Sequence, residues 1–146
     1  MLVVGLSHRT APIEVRERLA ITNNGYEEVL DKLQALAEVS ESLLLSTCNR
    51  VEIYALAAPG VSGKHIERAV VGVLQSIGGS KVAPHLKAAY GDEAVLHLLR
   101  VASSLDSLVV GEPQILGQLK DAIRRASVHG AMGPSLDSMM KTALQV

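Results

Sequence analysis

Apolar positions fall into short runs separated by polar turns. Leu2 to Ser7 places four apolar residues around one Gly before the polar His8, Arg9 and Thr10, which predicts a short buried strand. Pro12 suits the first turn of a short helix, where its missing N–H costs nothing. Glu14 and Arg18 are spaced to pair along that helix. Thr22-Asn23-Asn24-Gly25 reads as a turn with capping residues, followed by a helix with Tyr26, Val29, Leu30, Leu33 and Ala37 on one face. Leu43-Leu44-Leu45-Ser46 predicts a central strand and Val51 to Ala57 a second, forming a hairpin around Cys48-Asn49-Arg50. Pro59-Gly60 breaks the chain. Ile66, Ala69, Val70, Val73, Leu74 and Ile77 then follow helical spacing, and Gly78-Gly79 ends that helix. Leu86, Ala88 and Tyr90 alternate with polar or small residues and predict a fourth strand.

The resulting order, β-α-β-β-α-β with a short extra helix in the first crossover, is that of a ferredoxin-like sandwich. From Gly91-Asp92 the character changes. Asp92 is expected to cap a helix running to about Ser103, with further helices over 114–128 and 135–144, the last striped by Leu136, Met139, Met140, Ala143 and Leu144. Helices without intervening strands predict a small helical subdomain beside the sheet. The expected class is therefore α+β, with an α/β unit over 1–91 and a helical unit over 92–146. The stop at Val146, directly after an apolar stripe, is expected of a piece of a longer protein.

Composition narrows the functional classes. Lys and Arg number 14 against 15 Asp and Glu, a formal charge of -1, which disfavours a protein that coats phosphate backbones nonspecifically. With no Trp, no Phe and three Tyr, stacking platforms for single-stranded nucleic acid are scarce. One cysteine excludes an internal disulfide and a Cys-rich zinc site. No apolar run reaches the ~20 residues of a membrane helix, and the N-terminus lacks a signal-peptide pattern. A soluble, cytoplasmic protein is expected.

Three features offer chemistry. Cys48 ends a predicted buried strand in Ser46-Thr47-Cys48-Asn49-Arg50, where a nearby guanidinium favours the nucleophilic thiolate; a lone Cys beside an apolar run is more usually a small core residue. His97 lies in an otherwise apolar helical stretch, either as a general acid or base or as a satisfied boundary histidine. His8 ends the first strand, and His65, His85 and His129 read as surface residues. Finally, Gly111-Glu112-Pro113 breaks two helices, with Ser107, Glu112, Gln114 and Gln118 around the break; its plainer reading is a helical hairpin. There is no HExxH, CxxC, GxGxxG or GxxxxGK[ST], so metal and nucleotide loops are absent from the sequence.

Taken together, GLSHRTAPIEVRERLA (5–20), LLLSTCNRVEIYA (43–55) and HLLRVASSLDSLVVGEPQILGQLKDA (97–122) closely resemble the glutamyl-tRNA reductases, in the family's order. The resemblance implies tetrapyrrole biosynthesis and an NADPH-dependent reduction of the ester joining glutamate to tRNA. Cys48 matches the nucleophile, whose thiolate releases tRNA and leaves a glutamyl thioester. Hydride from NADPH then yields glutamate-1-semialdehyde. Thr47, Asn49 and Arg50 complete the substrate block, with Arg50 a fork for the glutamate carboxylate. Ser107, Glu112, Pro113, Gln114 and Gln118 match other substrate-contacting positions, and His97 a position important for activity. The family's NADPH-binding and dimerisation domains are absent from these 146 residues, so the chain matches the N-terminal catalytic domain alone and no bound NADPH is expected. The implied partners are glutamyl-tRNA and those missing domains, in a homodimer. A second reading makes the chain a regulatory or partner-binding module, with Met139 and Met140 as its docking face. A Cys-His hydrolase is a third. Lys120, Arg124 and Arg125 form the densest basic cluster, either touching tRNA phosphates or lying on a solvated helix face.

Overall fold

Four strands, β1 (Leu2–Ser7), β2 (Val39–Ser46), β3 (Arg50–Ala57) and β4 (Lys87–Tyr90), form one sheet in the order β2-β3-β1-β4, every neighbour antiparallel. The structure, a computed structural model, describes residues 1–22, 25–103 and 114–145. All six residues of β1 are buried, as expected for an apolar run lying between two strands and covered on both faces. The β2–β3 hairpin pairs Leu43 with Tyr54 and Leu45 with Glu52; an irregularity between Val39 and Glu41 interrupts only its outer end.

Three helices lie in the crossovers. The short α1 (Ile13–Arg18) follows Pro12 as its N-cap, then α2 (Gly25–Gln34) returns the chain to β2. The third, α3 (Gly63–Gly78), starts where the Ser62 hydroxyl accepts a hydrogen bond from the His65 N–H, and it ends at Gly79 with φ 82°. Tyr26, Val29, Leu30 and Leu33 of α2 and Ile66, Val70, Val73 and Leu74 of α3 are buried, the stripes that the spacing predicts. Ala37 falls beyond the end of α2. Alternation along the strands sends Leu2, Val4, Leu6, Val51, Ile53 and Ala55 to one face. The other face carries Val3, Gly5, Ser7, Arg50, Glu52 and Tyr54, and it meets the helices that follow β4: α4 (Gly91–Ala102), α5 (Gln114–His129) and α6 (Pro134–Leu144).

Several local expectations are corrected. A 3-10 turn over Ser80–His85 precedes β4 and seats buried Val82, so Leu86 closes that turn and lies outside the strand. Asp92 does not cap α4. Tyr90 holds the cap position without a side-chain bond, and Asp92 and Glu93 lie in the first turn, where carboxylates favour the helix dipole. The Tyr90 hydroxyl donates to Glu67, and burial together with that bond pushes its pKa up to about 12. Of the two methionines on α6, Met140 is buried with Leu136 and Ala143, whereas Met139 is half-buried. The expected turn at Asn23-Asn24 lies outside the described residues.

The sequence offers α6 no capping side chain of its own, since Gly133 stands at the N-cap. Glu41 of β2 fills the role from across the fold: its Oε1 accepts from the Leu136 N–H at 2.9 Å. One hydrophobic cluster runs through both faces of the sheet and through α4, α5 and α6. No helix among the described residues is long and apolar enough to cross a membrane.

Candidate active site

The β2–β3 turn is built by Thr47. Its backbone N–H donates to the Arg50 carbonyl at 2.8 Å, while its Oγ1 accepts from the Asn49 and Arg50 N–H groups at 3.1 and 3.2 Å. Thr47 thereby satisfies turn amides that the hairpin ladder leaves unpaired. The His8 N–H donates to the Asn49 carbonyl at 2.8 Å and ties the end of β1 to the same turn. Cys48, at the tip, is exposed. The alternative of a buried core cysteine does not hold.

Arg50, the first residue of β3, turns the opposite way. With Glu52 and Tyr54 it places three consecutive same-face positions on the side covered by α4, and all three are buried. Arg50 Nη1 donates to Glu52 Oε2 at 3.3 Å, and the Tyr54 hydroxyl donates to Glu52 Oε1 at 3.0 Å. His97, reaching down from α4, brings Nε2 to 2.5 Å from Glu52 Oε2. Taking an ion pair out of water costs several kcal/mol per ion unless hydrogen bonds compensate. Here one carboxylate accepts from Arg50 and Tyr54 and lies beside His97, and neighbouring buried Leu43 and Leu45 each contribute roughly 2 kcal/mol of burial.

A cleft of about 360 Å3 opens beside this network, with Gly5, Ser7, Thr10, Glu52, Lys87 and His97 among its lining residues. The loop that leaves β1 is braced locally: Thr10 Oγ1 accepts from the Ser7 N–H at 3.0 Å and Ser7 Oγ from the Arg9 N–H at 3.2 Å. The structure thus brings Arg50 and His97 together on one carboxylate and leaves Cys48, Thr47 and Asn49 in the adjoining turn. Gln114 begins α5, and Gln118 is exposed on the same helix. Ser107, Glu112 and Pro113 lie outside the described residues. His85 and His129 are engaged, with the Thr10 carbonyl at 3.1 Å and Asp31 at 2.7 Å. Arg124 and Arg125 both pair with Asp121, holding its carboxyl below the usual range chiefly through the Arg124 hydrogen bond. No group of His, Cys, Asp or Glu among the described residues is placed to hold a metal ion.

Sequence reasoning missed Glu52 and Tyr54. The signal was present: Arg50, Glu52 and Tyr54 alternate with apolar Val51, Ile53 and Ala55. Such alternation ordinarily marks a solvent-facing side; only a helix laid over that side turns it into a buried polar array.

The fold and site define a mixed α/β domain that presents an exposed thiol on a hairpin turn beside buried Arg50, Glu52 and Tyr54 and the half-buried His97. A family model described as "Glutamyl-tRNAGlu reductase, N-terminal domain" matches residues 4–146. A glutamyl-tRNA reductase of Sorangium cellulosum is 48% identical over 164 residues, covering 100% of this chain and 31% of the relative. One from Synechococcus is 44% identical over 144 residues, covering 99% of this chain and 33% of the relative. The solved glutamyl-tRNA reductase of Methanopyrus kandleri superposes with a TM-score of 0.77 at 35% identity, over 99% of this chain and 32% of that one. The chain belongs to the glutamyl-tRNA reductase family and corresponds to its N-terminal domain. It spans about a third of the length of the curated relatives it matches.

Proposed function

We propose that this chain is the part of a glutamyl-tRNA reductase that draws glutamate from glutamyl-tRNA onto Cys48, on the route to tetrapyrroles. The observation that carries the reading is the exposure of Cys48 at the tip of the turn, within a match that runs from residue 4 to residue 146. The Cys48 thiolate attacks the ester carbonyl, the bond from that carbon to the tRNA oxygen breaks, and the released oxygen takes a proton. Glutamate is left as a thioester, activated for reduction. Thr47 and Asn49 flank the nucleophile, and Ser107, Glu112, Pro113, Gln114 and Gln118 supply further substrate contacts. Arg50 offers its guanidinium to the glutamate carboxylate, and His97 serves as the acid or base.

NADPH supplies hydride in the family reaction. The residues of this chain do not fit it. No glycine-rich dinucleotide loop occurs, and among the described residues no strand pairs in parallel with another to form the βαβ unit that seats a pyrophosphate on a helix N-terminus. In this reading reduction, homodimerisation and the NADPH site belong to the remaining two thirds of a cytoplasmic enzyme. The sheet order, with α2 and α3 in the crossovers, supports a ferredoxin-like sandwich over 1–91, and 92–146 then completes the substrate pocket.

Intact-protein mass spectrometry after mixing the chain with glutamyl-tRNA tests the proposal. A glutamyl adduct is expected on the wild type and none on Cys48→Ser. An unmodified wild type under conditions where a thiol reagent still labels Cys48 overturns it.

A further inference from the structure

We propose that Glu52 is a positioning residue: it holds His97 with the ring proton on Nε2 and so sets the tautomer and orientation of an imidazole that borders the cleft. The inference rests on the acylation reading above and extends it to a residue with no role so far.

The assignment of the hydrogen follows from an ionised Glu52 carboxylate, which only accepts. Glu52 Oε2 accepts from Arg50 Nη1 at 3.3 Å and lies 2.5 Å from His97 Nε2. An oxygen already accepting from a guanidinium is an acceptor, so the hydrogen belongs to Nε2. The Tyr54 hydroxyl donates to the other carboxylate oxygen at 3.0 Å. The side chain of Glu52 is 5% exposed and that of His97 30%, so the anchoring end of the imidazole is sealed while the ring still borders the cleft. A carboxylate placed behind an imidazole in this way sets tautomer and ring orientation.

The sheet makes a place for this carboxylate. Gly5 of β1 lies opposite Glu52, and a methyl group there would sit 2.9 Å from Glu52 Cγ. The missing side chain is the gap across which Glu52 passes toward α4. Glu52 is the single carboxylate lining the cleft among the described residues, and Lys87 is the lysine at its border. The residue proposed to bind the substrate carboxylate and the residue proposed to move a proton are thus held by one group.

Two measurements on the full 146-residue chain test the proposal. Long-range 1H–15N NMR of neutral His97 should find the proton on Nε2 in the wild type, with a low-field ring-proton signal that moves upfield in Glu52→Gln. Cys48 acylation by glutamyl-tRNA should slow by roughly 100-fold in Glu52→Gln, with an altered pH profile, as expected for loss of a carboxylate that orients an imidazole. A wild-type His97 protonated on Nδ1 overturns the proposal whether or not the variant folds. So does a folded Glu52→Gln chain acylated at the wild-type rate with the wild-type pH profile. If the wild type shows Nε2–H but forms no adduct, the acylation reading fails while the Glu52–His97 arrangement is supported.

Discussion

At position 5 the side chain is a hydrogen because the neighbouring strand leaves no room for more. An added Cβ would meet the Val51 carbonyl oxygen at 2.1 Å and Glu52 Cα at 2.7 Å, both backbone atoms that cannot rotate away. Gly5→Ala is therefore expected to cost at least the roughly 1–3 kcal/mol of an overpacked core. Urea unfolding at unchanged m-value should show the loss, and the Glu52 to His97 bond should weaken with it. Thr47 works at the same scale in the opposite sense, using one hydroxyl to satisfy two turn amides and so holding Cys48 outside the sheet. Of the candidate site residues, Cys48, Thr47, Asn49 and Arg50 were legible because they are contiguous, and contiguity survives folding. Glu52 was not, because its partner His97 is 45 positions away.

Strands and helices were predicted where a stripe or run is repeated. The six residues of β1 and the 16-residue α3 follow directly from apolar spacing. Caps proved less legible, because a cap needs only one acceptor and any element can provide it. Asp92 was read as a cap and is not one, whereas α6 takes its cap from Glu41 on β2. Glu41→Ala removes that acceptor and is expected to cost about 1 kcal/mol. Hydrogen exchange should reveal it as faster exchange of the Leu136 amide and of the first turn of α6, with little change in α3. Protection in α6 equal to wild type would show that Glu41 does not anchor the helix.

For the whole molecule, burial of both faces of the sheet is the organising fact. The helices after β4 cover the side that carries Arg50, Glu52 and Tyr54, converting what the strand pattern alone presents as a wet face into the floor of a cleft. The same arrangement uses Leu136, Met140 and Ala143 of α6 for packing. Because the antiparallel sheet offers no seat for a dinucleotide, the isolated chain is expected to leave NADPH unoxidised in the presence of glutamyl-tRNA even as Cys48 becomes acylated. Absorbance at the nicotinamide band, followed alongside mass spectrometry, checks this; steady NADPH consumption would contradict it.

The order of strands and helices, the hairpin that carries Cys48 and the family resemblance were all determined by the sequence. Each depends on local spacing or on contiguous motifs, and neither requires knowing what packs on what. Tertiary structure alone decided which face of β3 meets a helix, that Glu52 joins Arg50 to His97, and that a glycine on the adjacent strand makes the space. Those outcomes depend on distances between residues far apart in the chain. In a period-two strand, the same alternation serves solvent or a buried polar network equally well until another element covers it.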